Sequence, residues 1–276
     1  MTTPQPTLVL GSNGKTGRRV AQRLSALGLP WRAGSRTAHL PFNWEDPATW
    51  APALRGMGSV YISYFPDIAV PGAADTVGAF ARHAVQHGVR RLVLLSGRGE
   101  EGALLGEQAV QASGADWTVL RATWFNQNFS EGNFLDMVQA GDLTLPVGDV
   151  PEPFVDADDI ADVAVAALTQ DRHVGQVYEL TGPRLLTFAQ AVDEIARATG
   201  RPVRCTPIPL DAFTGAMAEQ GEPPEVVDLL RYLFSEVLDG RNAHLADGVQ
   251  RALGRAPRDF ADYARDAAAS GVWAGR

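Results

Sequence analysis

The sequence predicts an α/β fold, a Rossmann-type doubly wound parallel sheet with a smaller, mostly helical C-terminal substrate region. Three observations predict it. Apolar and amphipathic segments alternate over the first two-thirds of the 276 residues. The strand-like segments are apolar on both faces, as they are when helices cover both sides of a sheet. The first of them, Thr7-Leu8-Val9-Leu10, runs into a glycine-rich turn followed by an amphipathic stretch, a strand–turn–helix start.

Taken in order, strands are expected at 7–10, 30–33, 59–63, 91–96, 117–121 and 176–180. Each is short and rich in Val, Leu, Ile, Tyr or Trp. Helices are expected between them at 15–27, 75–87, 104–113 and 158–169. Gly28, Gly88 and Gly114 follow three of these helices, where a left-handed C-terminal cap favours glycine. The β-α alternation implies right-handed crossovers.

Beyond about residue 185 the pattern turns helical. Thr187 with Gln190 three residues later reads as a capping box that opens a helix at 188–199. Further helices are expected at 210–220, 224–238 and 259–269, separated by Pro207-Ile208-Pro209 and Pro223-Pro224. The expected division is a dinucleotide-binding domain over 1–125 and 150–182, with a substrate-binding cap over 126–149 and 183–276. Ligands are expected at the C-terminal edge of the sheet, where open α/β sheets bind them.

A hydrophobic content of 45% and a charged content of 20% are those of an ordinary globular chain. The net charge of −8 argues against direct binding to nucleic acid or to an anionic membrane. The N-terminal residues lack a basic region followed by an apolar core, and no apolar run approaches the roughly 20 residues that span a bilayer. The lone Cys205 excludes an intrachain disulfide. A cytoplasmic protein, monomeric or homodimeric, acting on a small molecule, is the expectation.

The turn reads Gly11-Ser12-Asn13-Gly14-Lys15-Thr16-Gly17. One glycine turns the chain off the strand, one admits phosphate to the backbone, and one lets the helix pack on the sheet. Gly11, Asn13, Gly14, Lys15, Thr16 and Gly17 are therefore the expected pyrophosphate site. A triphosphate P-loop is excluded, because Val9 stands where its first glycine would be. The second strand ends in Ser35-Arg36 where NAD-preferring sites carry an acid, so NADP(H) is expected over NAD(H). Asn43, between Phe42 and Trp44, is a candidate for the adenine edge, with packing at the sheet edge as the alternative. Tyr64-Phe65-Pro66 and Ser96-Gly97 close two strands and are assigned to the nicotinamide half. Thr123, Trp124, Phe125 and Asn128 are the candidate substrate pocket.

Lys15 is the only lysine, so no Tyr-x-x-x-Lys pair exists. Tyr64 is then the one candidate proton donor if the substrate is a carbonyl. Other groupings carry less. His83 and His87 lack a third ligand, and no metal is expected. Asp156, Asp158 and Asp159 read as helix capping, Glu100-Glu101 as an exposed loop pair, and Cys205 as packing.

The glycine turn, Arg90-Arg91-Leu92-Val93-Leu94-Leu95-Ser96, Trp117 to Phe125 with Asn128-Phe129, and Pro153-Phe154-Val155-Asp156-Ala157-Asp158-Asp159-Ile160-Ala161 together resemble the NmrA-like branch of atypical short-chain dehydrogenases. Phe42 to Pro47 and Thr181 to Thr187 are most similar to the ergot-alkaloid reductases, the festuclavine and agroclavine dehydrogenases. Ala122 departs from the Arg-Pro-Thr-Trp-Phe motif, and Ala103 stands, by count, where many relatives carry a lysine. The resemblance implies a nicotinamide cofactor and hydride transfer to a small electrophile of the iminium, quinone or enone type. An iminium carbon is already cationic and accepts hydride without a proton. The alternative that the resemblance implies is a non-catalytic NADP(H)-binding redox sensor.

Overall fold

In chain order the computed structural model, which describes residues 5–132 and 134–274, begins with β1 (Thr7–Leu10), α1 (Lys15–Ala26), β2 (Trp31–Gly34), α2 (Trp50–Leu54) and β3 (Ser59–Ile62). It continues with α3 (Ala73–Gln86), β4 (Arg91–Gly97), α4 (Glu101–Gln111), β5 (Asp116–Ala122), α5 (Leu135–Ala140) and β6 (Asp142–Leu145). Then come α6 (Ala157–Thr169), β7 (Gln176–Leu180), α7 (Phe188–Thr199) and β8 (Arg204–Pro207). The last helices are α8 (Leu210–Glu219), α9 (Pro224–Tyr232), α10 (Gly248–Leu253) and α11 (Phe260–Ala269).

Six strands pair in parallel in the order β2-β1-β3-β4-β5-β7. The order reverses direction at β1, which places a topological switch point between β1 and β3. Strand residues alternate between faces. Leu8, Leu10, Val60, Ile62, Leu92 and Leu94 form one core with Val77, Phe80 and Ala84 of α3 and Ala103 and Val110 of α4. The intervening Val9, Tyr61, Val93 and Leu120 are equally buried and point the other way, the side on which α1 and α6 pack together.

The chain forms two compact units. The first holds the chain up to Ala122, Ala157–Leu180 and Asp247–Arg255, and the second holds Thr123–Asp156, Thr181–Ala246 and the chain from Ala256. Within the second, Phe129, Phe154, Phe188 and Phe260 pack mutually edge-to-face or tilted, with ring centroids 5.0–6.0 Å apart. Trp273 closes that core at 1% exposure, and its indole N–H donates to Phe129 O at 2.8 Å.

The expected strands are all present, and the capping box is formed in both directions between Thr187 and Gln190. The structure corrects two expectations and adds to a third. The second region is mostly helical, as expected, but β6 and β8 also form a short parallel pair that sequence reading missed. Both strands have four residues, and β8 ends on a proline, so neither offers a sustained pattern. The helix expected at 224–238 ends at Tyr232. No residue of α9 is buried, whereas the widened π-turn Leu233–Val237 rotates Phe234 and Val237 into the core. Finally, α4 starts at Glu101, three residues early.

Trp273→Ala is expected to cost about 3–5 kcal/mol, because it removes a fully buried indole and leaves Phe129 O without a donor. Urea unfolding of the two proteins checks it; a loss below about 1 kcal/mol would contradict this packing.

Candidate functional site: a backbone cradle at the end of the first strand

β1 delivers the chain to Gly11, whose φ of +64° is the conformation that glycine adopts without strain. Gly11 N donates to Gly34 O at 3.0 Å, and Gly14 N donates to Gly11 O at 2.8 Å, so the turn is held against β2 and closed on itself. Helix α1 then returns so close that a methyl group on Gly17 would lie 2.2 Å from Gly11 O. Gly34 leaves no more room: a methyl group there would meet Leu10 Cδ2 at 2.5 Å.

The N-terminus of α1 has no side-chain cap and no acidic residue in its first turn. Its N–H groups and positive dipole end therefore face an approaching anion without competition from a protein carboxylate. Ser12 is 6% exposed, and its hydroxyl has no hydrogen-bond partner among the described residues. An orphaned buried hydroxyl in a close-packed glycine turn fits the pyrophosphate of a dinucleotide.

Asn13 Nδ2 donates to Thr37 Oγ1 at 3.3 Å, and Thr37 Oγ1 lies 3.4 Å from Ser35 Oγ. Thr37 thus joins the predicted Asn13 and Ser35, a grouping that only the approach of two loops reveals. Arg36 is exposed and makes no hydrogen bond or ion pair with the described residues. Asn43 Oδ1 accepts from Glu45 N at 3.2 Å, and Asn43 O accepts from the Trp50 indole at 2.9 Å. Phe42 is buried against Trp44 and Phe80 at centroid distances of 4.9 and 5.4 Å. Phe42 lies in the core of the first unit, and the partly buried Trp44 packs against it.

At the ends of β3 and β4 the predicted residues separate in character. Tyr64 is half-buried with its ring 4.9 Å from Trp44, Phe65 is exposed, and the Phe65–Pro66 bond is cis. Ser96 is buried, and its hydroxyl donates to Glu107 Oε1 at 2.7 Å, which leaves its backbone, not its side chain, for a ligand. Glu107 in turn accepts from Arg121 at 2.9, 3.1 and 2.7 Å. Arg98, 3% exposed, donates to Glu179 at 3.0 Å. None of this ion network was visible in the sequence.

The loop leaving β5 belongs to the second unit. Thr123 is buried and donates to Glu152 Oε2 at 2.7 Å. Trp124 stacks beside Phe134 and meets Phe188 edge-to-face, while Phe125 and Asn128 are partly exposed.

One lesser expectation is corrected. Glu100 is not an exposed loop residue; it is 8% exposed, and burial together with the neighbouring Asp67 charge pushes its carboxyl up to about 9. Asp158 and Asp159 stand in the first turn of α6, as the helix dipole favours, and together with Asp156 they also bridge elements far apart in sequence. Asp156 accepts from Gln127 at 3.0 Å, Asp158 from Arg19 and Arg23 at 3.2 and 2.8 Å, and the fully buried Asp159 pairs with Arg255 at 2.7 Å. Ala103 is completely buried in the core, so that position does not present a side chain to a ligand. Cys205 is half-buried, and its thiol is pushed up to about 11 by burial.

The fold and the glycine cradle define a nucleotide-binding protein of the Rossmann class. The chain belongs to the NmrA-like family: the family's model matches residues 106–236. An NAD(P)H azoreductase of Xenophilus azovorans is 32% identical, over 95% of this chain and 98% of its own length. An agroclavine dehydrogenase of Claviceps fusiformis is 31% identical, over 94% of this chain and 96% of its own. An NADPH-dependent quinone oxidoreductase of Escherichia coli, solved in complex with NADPH, shares the fold with a TM-score of 0.74 at 20% identity, covering 95% of this chain and 99% of that one. Among the described residues no helix is long and apolar enough to cross a membrane.

Gly17→Ala is expected to force α1 off the turn, cost about 1–3 kcal/mol of stability, and weaken nicotinamide coenzyme binding by at least about tenfold. Calorimetric titration beside thermal unfolding checks both; unchanged affinity would remove the cradle from the binding site.

Proposed function

We propose that this NAD(P)H-dependent oxidoreductase prefers NADPH and reduces a small electron-poor acceptor of the iminium, quinone or enone type without a Tyr-x-x-x-Lys pair. The observation that carries the reading is the cradle itself. The backbone of Gly11, Gly14 and Gly17 is close-packed, Ser12 holds a buried hydroxyl without a partner, and the first turn of α1 contains no acid. Asn13, Lys15 and Thr16 complete the groups assigned to the pyrophosphate.

Ser35 and Arg36 are assigned to the 2′-phosphate. No carboxylate stands at that strand end to repel it, and a guanidinium forms charge-assisted bonds to phosphate oxygens. Thr37 joins them through its contact with Ser35. Asn43 is assigned to the adenine side, through whatever its turn leaves free. Tyr64, Phe65, Pro66, Ser96 and Gly97 are assigned to the nicotinamide half, Ser96 through its backbone.

The reduced nicotinamide, when bound, supplies hydride, and the protein supplies orientation. Trp124 and Phe125 offer ring faces that favour a flat or cationic acceptor, with Thr123 and Asn128 beside them on the same loop. The azoreductase relative supports this class, since an azo group is also planar and electron-poor.

Two measurements test the reading. Arg36→Ala is expected to raise the Kd for NADPH about tenfold or more while leaving that for NADH within about twofold; equal affinities of the unmodified protein for both coenzymes would defeat the preference. Screening NADPH oxidation against iminium, quinone, enone and azo acceptors is expected to give turnover with at least one class. Tight coenzyme binding with no turnover on any acceptor would overturn the reductase assignment.

A further inference from the structure

Between the two loops assigned to the nicotinamide half lie two carboxyl groups that no basic side chain balances. Glu100 follows β4 and folds back over the backbone there: a methyl group on Gly97 would fall 2.1 Å from Glu100 Oε1 and 2.5 Å from Oε2. Asp67 follows Tyr64-Phe65-Pro66 at the end of β3, and its Oδ1 accepts from Ala69 N at 2.8 Å. Glu100 is 8% exposed, and its Oε2 receives no hydrogen bond from the described residues. What meets Glu100 is the carboxyl of Asp67, in hydrogen-bond contact.

Arg98, two residues away, donates to Glu179, and Arg121 is held by Glu107 and Glu179. Neither Glu100 nor Asp67 forms an ion pair with the described residues. Tyr64 and the exposed Glu101 are the other titratable groups on these two loops. Two neighbouring carboxyls, one of them buried, do not both ionise at neutral pH; a proton stays between them. Burial, then the Asp67 charge, pushes Glu100 up, and burial raises Asp67 as well.

We propose that Glu100 is the proton donor of the reduction and that Asp67, half-buried, returns a proton to it from water. The proposal rests on the reductase reading above. With a quinone or enone acceptor, hydride from the reduced coenzyme forms the new bond at carbon or at the acceptor's electron-poor end. The displaced π pair moves to the carbonyl oxygen, which takes the proton from the Glu100 carboxyl and leaves Glu100 ionised. The acceptor gains two electrons and two hydrogens in all, one as hydride and one as proton. An iminium acceptor is neutralised by hydride alone and does not need this step. Lys15 is the only lysine, so the proton donors that the nicotinamide loops offer are this pair and Tyr64.

Glu100→Gln preserves shape and removes the proton. It is expected to lower kcat on a quinone or enone about 100-fold or more while leaving the Kd for NADPH within about twofold. Native turnover is expected to fall as pH rises through about 9, where Glu100 ionises. In Asp67→Asn, which removes the like charge and adds an N–H donor, that fall moves to lower pH. Independently of activity, infrared spectra of the apoprotein at pH 7 should show a carboxylic acid C=O band that is absent from Glu100→Gln. A kcat for Glu100→Gln within about threefold of native would overturn the donor role, and loss of turnover in Tyr64→Phe alone would give that role to Tyr64. An absent infrared band would overturn the shared proton and leave the reductase reading standing. A band present with no turnover of any acceptor by the native protein would overturn that reading and the donor role together.

Discussion

The approach of α1 onto the end of β1 is the constraint on which the candidate site depends. With 2.2 Å between the Gly11 carbonyl oxygen and the place where a Gly17 methyl group would stand, the helix axis is pinned directly over the turn. The same closeness aims the first turn of α1, uncapped and free of acid, at the space above the switch point between β1 and β3. A side chain at either glycine would push the helix away and lose the alignment. The geometry of the glycine cradle is thus a property of backbone packing, with side chains such as Ser12 as additions.

Around this point the first unit is held by arginine–carboxylate pairs. Arg23 bonds to Asp158 and Asp162, and Arg19 to Asp158, which joins α1 to α6 beneath the cradle. Glu107, 1% exposed, is satisfied by Ser96 and by a two-pronged contact with Arg121. In a chain with one lysine these roles fall to guanidinium groups, whose planar donors match carboxylates. Burying a charge is costly unless every oxygen is met, and here each of these carboxylates is met. Glu100 differs: among the described residues no cation meets it, its neighbour is a second carboxyl, and a proton is what remains to neutralise the pair.

The second unit is built on aromatic contacts in place of a large sheet. Phe188 touches Phe129, Phe154 and Trp124, so a single residue of α7 links the loop after β5 to the segment before α6. Trp124 is therefore positioned by the core of its own unit while remaining partly exposed. A ring anchored on one edge and open on another has little freedom left to lose on contact with a ligand.

Much of the architecture was legible in the residues themselves. Short apolar runs, glycines at helix ends and the spacing of Gly11, Gly14 and Gly17 encode strands, caps and a glycine turn locally, because each depends on neighbours within a few positions. The absence of a lysine beyond Lys15 likewise decided one matter of chemistry outright. Tertiary structure alone decided which polar groups are spent and which are spare. Ser96 is taken by Glu107, Asp158 is met by Arg23 from 135 residues away, and Glu100 is folded under Gly97 beside Asp67. Burial and pairing arise where distant segments converge, and no local period or spacing carries that information.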